Sequence, residues 1–249
     1  MSGHSKWATI KHQKGAKDKA RGKLFGKLIR QVEVAAREGG GDPDSNATLR
    51  TMIDKARDAS VPVDTIERAI KRGTGELEGV RYEAVTYEGY APGGVAVFVE
   101  ALTDNRNRTG AEVRSLFNRL GGSLAEPGAV AWQFERKGVV ILPKGPSEDE
   151  LMLVVLEAGA EDLVDDGDTW RVTSPPATLA AVRSALDAAG IAYDSADATM
   201  QPTSTVPLGT ADEAKKVLRL LDGLDEHDDV QHVHANFDIP DDILTTLSA

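Results

Sequence analysis

The chain reads as an α+β protein: an N-terminal three-helix domain followed by two α/β (ferredoxin-like) domains, one inserted in the other. Three observations predict this. Apolar residues recur at helical spacing through three short segments up to residue 75, and the period then changes to two. From 137 the elements run strand, helix, strand, strand, helix, strand, which is the ferredoxin-like order. The stretches flanking that run, 81–135 and 203–240, each hold too few elements to close a core, so they form one interrupted domain.

Residues 1–22 lack apolar periodicity and are broken by Gly3, Gly15 and Gly22, which predicts an extended basic arm. From Lys23 a stripe begins: Leu24, Phe25, Leu28, Ile29, Val32, Ala35 and Ala36 share one helix face, until the Gly-Gly-Gly-Asp-Pro run at 39–43 ends it. A second helix is expected over about 45–59, with Leu49, Ile53 and Ala56 inward. After Pro62, Asp64-x-x-Glu67 reads as a capping-box variant opening a third helix, with Gly73 as its stop. These three helices make a bundle over 23–75.

Beyond a Gly-containing linker, residues 81–90 alternate as in a strand, Pro92-Gly93-Gly94 turns the chain, and 95–103 reads as a buried strand. A polar connection leads to a helix at about 109–120, and 129–135 is read as a further strand. The inserted domain, 136–202, opens on the strand Lys-Gly-Val-Val-Ile-Leu-Pro, and Ser147-x-x-Glu150 caps its first helix. After it come a helix over about 211–222, a strand from Val230 to Phe237, and a short, frayed helix over 240–249.

Composition narrows the function. The absence of cysteine excludes disulfides, thiolate zinc sites and cysteine nucleophiles. No apolar run approaches the ~18 residues of a membrane span, so no membrane partner is expected. The informative feature is charge. The first thirty residues hold nine Lys or Arg and one acid, in a chain of net charge −11, so the rest carries −19. Such concentration points to a phosphate backbone, and the acidic remainder confines the contact to particular faces.

The candidate contacts begin with Lys6, Lys11, Lys14, Lys17, Lys19, Arg21, Lys23, Lys27 and Arg30 for phosphates. Trp7 and His12 lie among them and could stack or hydrogen-bond. Arg68, Lys71 and Arg72, in the last turn of the third helix, either complement its dipole or touch nucleic acid. Arg106 and Arg108 stand between a strand and a helix N-terminus. They either hold an anion there or pair with acids of the body while Asp104 or Thr109 caps the helix. His232-x-His234 puts two imidazoles on one strand face, but no third ligand has fitting spacing, so no metal is expected. No nucleophile elbow, P-loop, dinucleotide fingerprint or zincin motif is present, so no enzyme activity, cofactor or small-molecule substrate is expected.

Several stretches, among them GHSKWATIKHQKGAKDKARGKLFGKLIR, DTIERAIKRGTG, YEGYAPGGVAVFVEALTDNRNRT, GAVAWQFERKGV and DDVQHV, resemble the YebC/PmpR family across essentially the whole chain. That group is described as transcriptional regulators and includes the mitochondrial translational activator of cytochrome c oxidase. The resemblance implies three domains and a non-enzymatic, cytoplasmic protein. Its partner would be promoter DNA in a transcriptional role, or rRNA and tRNA in a ribosome-associated role easing difficult translation. It also implies that the arm and first helix form the nucleic-acid face, with the DNRNRT segment as a second contact. No helix-turn-helix is evident, so sequence-tolerant binding is favoured over operator reading.

Overall fold

The structure, a computed structural model, describes residues 17–248, the side chains of 17–21, 241, 242, 245 and 248 excepted. Three helices come first: α1 (Lys17–Gly39), α2 (Ala47–Asp58) and α3 (Val63–Thr74). Their apolar faces meet in one core built on Leu28, Val32, Leu49, Ile53, Ile66 and Ala69. Helix α1 begins six residues earlier than the apolar stripe predicts. Lys, Ala and Arg are strong helix formers, so they favour a helix where the sequence carries no apolar stripe. Asn46 staples the bundle: its side chain caps α2 by accepting from the Leu49 N–H at 3.0 Å, and it donates to the Ala35 carbonyl at 2.8 Å.

Helix α3 departs from its predicted ends. Pro62 occupies the N-cap without a side-chain bond, so Asp64 sits inside the first turn rather than capping. At the other end Gly75, in the left-handed conformation at φ 85°, closes the helix. Gly73 has a different task. A Cβ there would lie 2.4 Å from the Glu33 carbonyl oxygen, so its bare α-carbon is what lets α3 approach α1.

Strand β1 (Glu83–Tyr90) pairs antiparallel with β2 (Ala96–Thr103) through the Pro92–Gly94 turn, where Gly93 and Gly94 both adopt positive φ. Helix α4 (Arg106–Arg119) and the short β3 (Ser123–Leu124) follow. After the inserted unit come β8 (Val206–Pro207), α7 (Ala211–Asp225), β9 (Val230–Ala235), β10 (Phe237–Asp238) and α8 (Asp241–Ser248). The main sheet has the order β3-β1-β2-β9. One face carries α4 and α7 over a core of Val97, Val99, Phe117, Val217, Leu221 and Val233.

The second compact unit is Trp132–Thr205. It contains β4 (Phe134–Pro143), α5 (Glu148–Glu157), β5 (Asp162–Asp165), β6 (Thr169–Ser174), α6 (Leu179–Ala188) and β7 (Ser195–Pro202). Its sheet, β5-β6-β4-β7, is antiparallel throughout, with the first and third strands of the unit, β4 and β6, at its centre in the ferredoxin-like manner. The flanking sheet also carries two helices but follows the chain order β-β-α-β, then α-β. Of the strand expected at 129–135 only Phe134 and Glu135 are extended, because Ala131–Gln133 forms a short 3-10 helix; those two residues open β4, which runs on through the strand expected from 137. Gly138 pairs with Ser174 of β6, and a Cβ there would lie 2.6 Å from the Ser174 Oγ, so the bare α-carbon is what admits that side chain. Ser147 caps α5 as its spacing predicts, accepting from the Glu150 N–H at 3.3 Å.

Candidate nucleic-acid interface

The sequence-predicted contacts fall into three groups. Lys6, Trp7, Lys11, His12 and Lys14 lie outside the described residues, as do the side chains of Lys17, Lys19 and Arg21.

The second group is engaged within the molecule. Lys23, Lys27 and Arg30 are spaced four and three apart, so they share one face of α1. That face meets the end of α7, whose last carbonyls have no helical partners and sit at the negative end of the dipole. Lys23 Nζ donates to the Glu226 carbonyl at 2.6 Å, and Lys27 Nζ to the Asp225 carbonyl at 2.9 Å and to its carboxylate at 3.1 Å. Arg30 donates to the Asp228 carbonyl, lies 3.5 Å from the Asp229 carboxylate, and covers the Tyr82 ring at 5.5 Å. Side chains read as phosphate contacts are thus bound to internal acceptors, because α1 is docked where α7 exposes its carbonyls.

Asp229 is the centre of this contact. Arg108 donates to it at 2.7 Å and to Asp104 at 2.8 Å, and the Thr109 hydroxyl donates to it at 2.7 Å. Burial alone would raise the Asp229 pKa; the Thr109 and Arg108 hydrogen bonds, with the charges of Arg108 and Arg30, hold it below the usual carboxylate value. Of the two readings left open for Arg108, pairing with acids of the body is the one realised. The cap is neither Asp104 nor Thr109 but Asn105, whose side chain accepts from the Arg108 N–H at 3.1 Å. Helix α4 therefore starts at Arg106, three residues before its predicted start, and the last four residues of DNRNRT, Arg106–Thr109, are its first turn. Arg72 is likewise engaged, donating to buried Glu33 at 2.8 Å across α1 and α3.

The third group is exposed and available. Arg68 and Lys71 on α3, and Arg106 at the start of α4, form no ion pair among the described residues. They differ from Arg72 and Arg108 only in which way their helix turns them, a property that a count of charges does not carry.

A cleft of about 590 Å³ opens beside the Arg30–Asp229 contact. Its charged lining holds Lys23, Arg30 and Arg108 against five carboxylates, so it does not suit a polyanion. On the strand face, His234 is buried and bonded to Glu100 at 3.0 Å, next to the exposed His232. No group of three or more His, Asp or Glu placed to hold a metal occurs among the described residues.

Two important carboxylates escaped the sequence reading. Asp229 lies in an acidic run that resembles a solvated turn. Glu88 falls within the alternating β1 yet is buried, accepting from the N–H groups of Gly128, Val130 and Ala131 at 2.7, 2.7 and 2.8 Å. Burial raises its pKa, and the three N–H bonds outweigh it to leave the group lowered. The turn chemistry of Pro127-Gly128 was the only local hint of a loop needing such an anchor.

A helical head docked by its cations on an α+β body, with a basic segment preceding it, defines the class of protein. Comparison with known proteins then places it. Residues 5–76 match the family model described as TACO1/YebC protein N-terminal domain, and residues 82–237 that described as TACO1/YebC second and third domain. The chain belongs to the TACO1/YebC family. It is 58% identical to a protein of Acidothermus cellulolyticus over 99% of this chain and 100% of that one. It is 53% identical to one of Halothermothrix orenii over 100% and 99%. Both carry the name "Probable transcriptional regulatory protein". Among solved structures, a conserved hypothetical protein of Aquifex aeolicus superposes with a TM-score of 0.83 at 50% identity, covering 93% of this chain and 96% of that one.

Proposed function

We propose that this chain is a non-enzymatic, cytoplasmic regulator of gene expression that binds nucleic acid, with DNA in a transcriptional role as the first reading. Its N-terminal basic segment supplies the phosphate contacts. The carrying observation is the partition of cations. Lys23, Lys27 and Arg30 are bound internally, so we assign the phosphate contacts to the remaining cations of the basic run, Lys6, Lys11, Lys14, Lys17, Lys19 and Arg21. Arg68, Lys71 and Arg106 add exposed positive charge. Trp7 and His12 supply a stacking face and a hydrogen bond within the basic run. The name borne by the relatives supports the transcriptional reading.

The test is a titration of duplex DNA and of structured RNA against the full chain and against a chain lacking residues 1–16. About five phosphate contacts give a slope near −4.5 in log affinity against log salt for duplex DNA, and removing Lys6, Lys11 and Lys14 with residues 1–16 should reduce its magnitude by up to about 2.7. Undiminished binding by the truncated chain overturns the reading. Co-sedimentation with ribosomes without promoter binding would move the same segment onto ribosomal RNA.

A further inference from the structure

Helix α5 of the Trp132–Thr205 unit is apolar on both sides. Leu151 and Val155 face the sheet and are fully buried. Met152, Leu153 and Leu156 face away from it and are 38%, 73% and 49% exposed. A helix lying on a sheet turns polar residues to water, and one that is apolar all round is normally covered. Leu156 stands three and four positions after the other two, so the three side chains form one continuous cluster.

The rim of this cluster is anionic. Glu148, Asp149 and Glu150 fill the first turn of α5 and Glu157 ends it, all exposed. None of the four forms an ion pair among the described residues. Basic side chains of the same unit are engaged elsewhere: Lys137 with Glu135 and Glu161, Lys144 with Asp165, Arg171 with Asp166, and Arg183 with the Tyr193 hydroxyl. An apolar centre flanked at both ends by unmatched carboxylates is the anatomy of a protein-docking surface.

The sign of the rim selects the occupant. A second copy of this face would oppose acid to acid, and nucleic acid or an anionic lipid surface would be repelled. We propose that the outer face of α5 docks a basic polypeptide segment with an apolar anchor, an amphipathic helix with Lys or Arg flanking its apolar stripe. This binding function is separate from the N-terminal basic segment and does not depend on it.

The test uses the full chain and a fluorescent synthetic helix of leucine and lysine, arranged with the leucines on one face. Two controls accompany it: a peptide of the same composition with the leucines scattered, and oligolysine. The amphipathic peptide should bind with a Kd on the order of micromolar. Leu153→Gln with Leu156→Gln should weaken it about tenfold or more, by removing two anchors. Both controls should bind no better than the amphipathic peptide binds that variant. Because the two side chains are exposed, the variant should melt with the native protein, which separates lost docking from lost folding. Absent binding, unchanged affinity in the variant, or oligolysine binding as tightly overturns the proposal. So does a concentration-dependent doubling of mass that the variant abolishes, since that assigns the face to a second copy.

Discussion

Arg108 and Asp229, 121 residues apart in the chain, meet at 2.7 Å. Arg30 approaches the other oxygen of the same carboxylate at 3.5 Å, so one side chain ties the first turn of α4 and the middle of α1 to the start of β9. Replacing it keeps the shape and removes the charge. Asp229→Asn should destabilise the protein by about 1–3 kcal/mol, the cost of leaving charged hydrogen-bond partners unmatched at a mostly buried site. Urea unfolding measures it, and Arg108→Gln in the Asn background should add little, because the partner is already gone.

Acid should find the same carboxylates. Asp229 and Glu88 are both held below the ordinary carboxylate value in the folded protein. A depressed folded pKa contributes stability that is fully present above the unfolded value near 4 and is lost as pH falls through the folded one. Melting temperature should therefore fall below about pH 4. Glu88→Gln should flatten that fall. It should also speed amide exchange at Gly128, Val130 and Ala131, the three N–H groups the carboxylate holds. Unchanged exchange at those amides would show that the loop does not need its anchor.

Glycines in the bundle should respond in opposite directions. Gly73→Ala drives a methyl into the Glu33 carbonyl and should cost about 1–3 kcal/mol, as overpacking does. Gly26→Ala, in α1 where nothing lies within 4 Å of a new Cβ, should stabilise by about 0.5–1 kcal/mol. Thermal melts of the two variants bracket the native protein if the contact geometry of α1 and α3 is as described.

These cases mark what local sequence carries. Leu28, Val32, Ile53 and Ile66 announce the bundle core because period 3.6 is written in consecutive residues, and the β-α-β-β-α-β order of the inserted unit is readable for the same reason. Gly73 looks like a helix stop, because nothing nearby in the chain says that α1 presses against it. The start of α1 is hidden because Lys17 to Gly22 carry no apolar stripe to mark it. The fate of Lys23, Lys27 and Arg30 is hidden more deeply. Their acceptors lie about 200 residues away at the end of α7, and charge spacing cannot distinguish a docking face from a phosphate-binding one.

That distinction yields the last prediction. Lys27→Gln with Arg30→Gln removes charges bound to Asp225, Asp228 and Asp229, so it should lower the urea midpoint. Arg68→Gln with Lys71→Gln removes exposed charges without partners among the described residues, so it should leave the unfolding free energy within about 0.5 kcal/mol of native. In nucleic-acid titrations the order should invert. Loss of Arg68 and Lys71 should reduce the salt slope, by about 0.9 for each contact made to duplex DNA. Loss of Lys27 and Arg30 should leave the slope unchanged under conditions where the variant remains folded. If instead the α1 pair alone carries the salt dependence, α1 must leave the end of α7 on binding, and the docked arrangement is the form without nucleic acid.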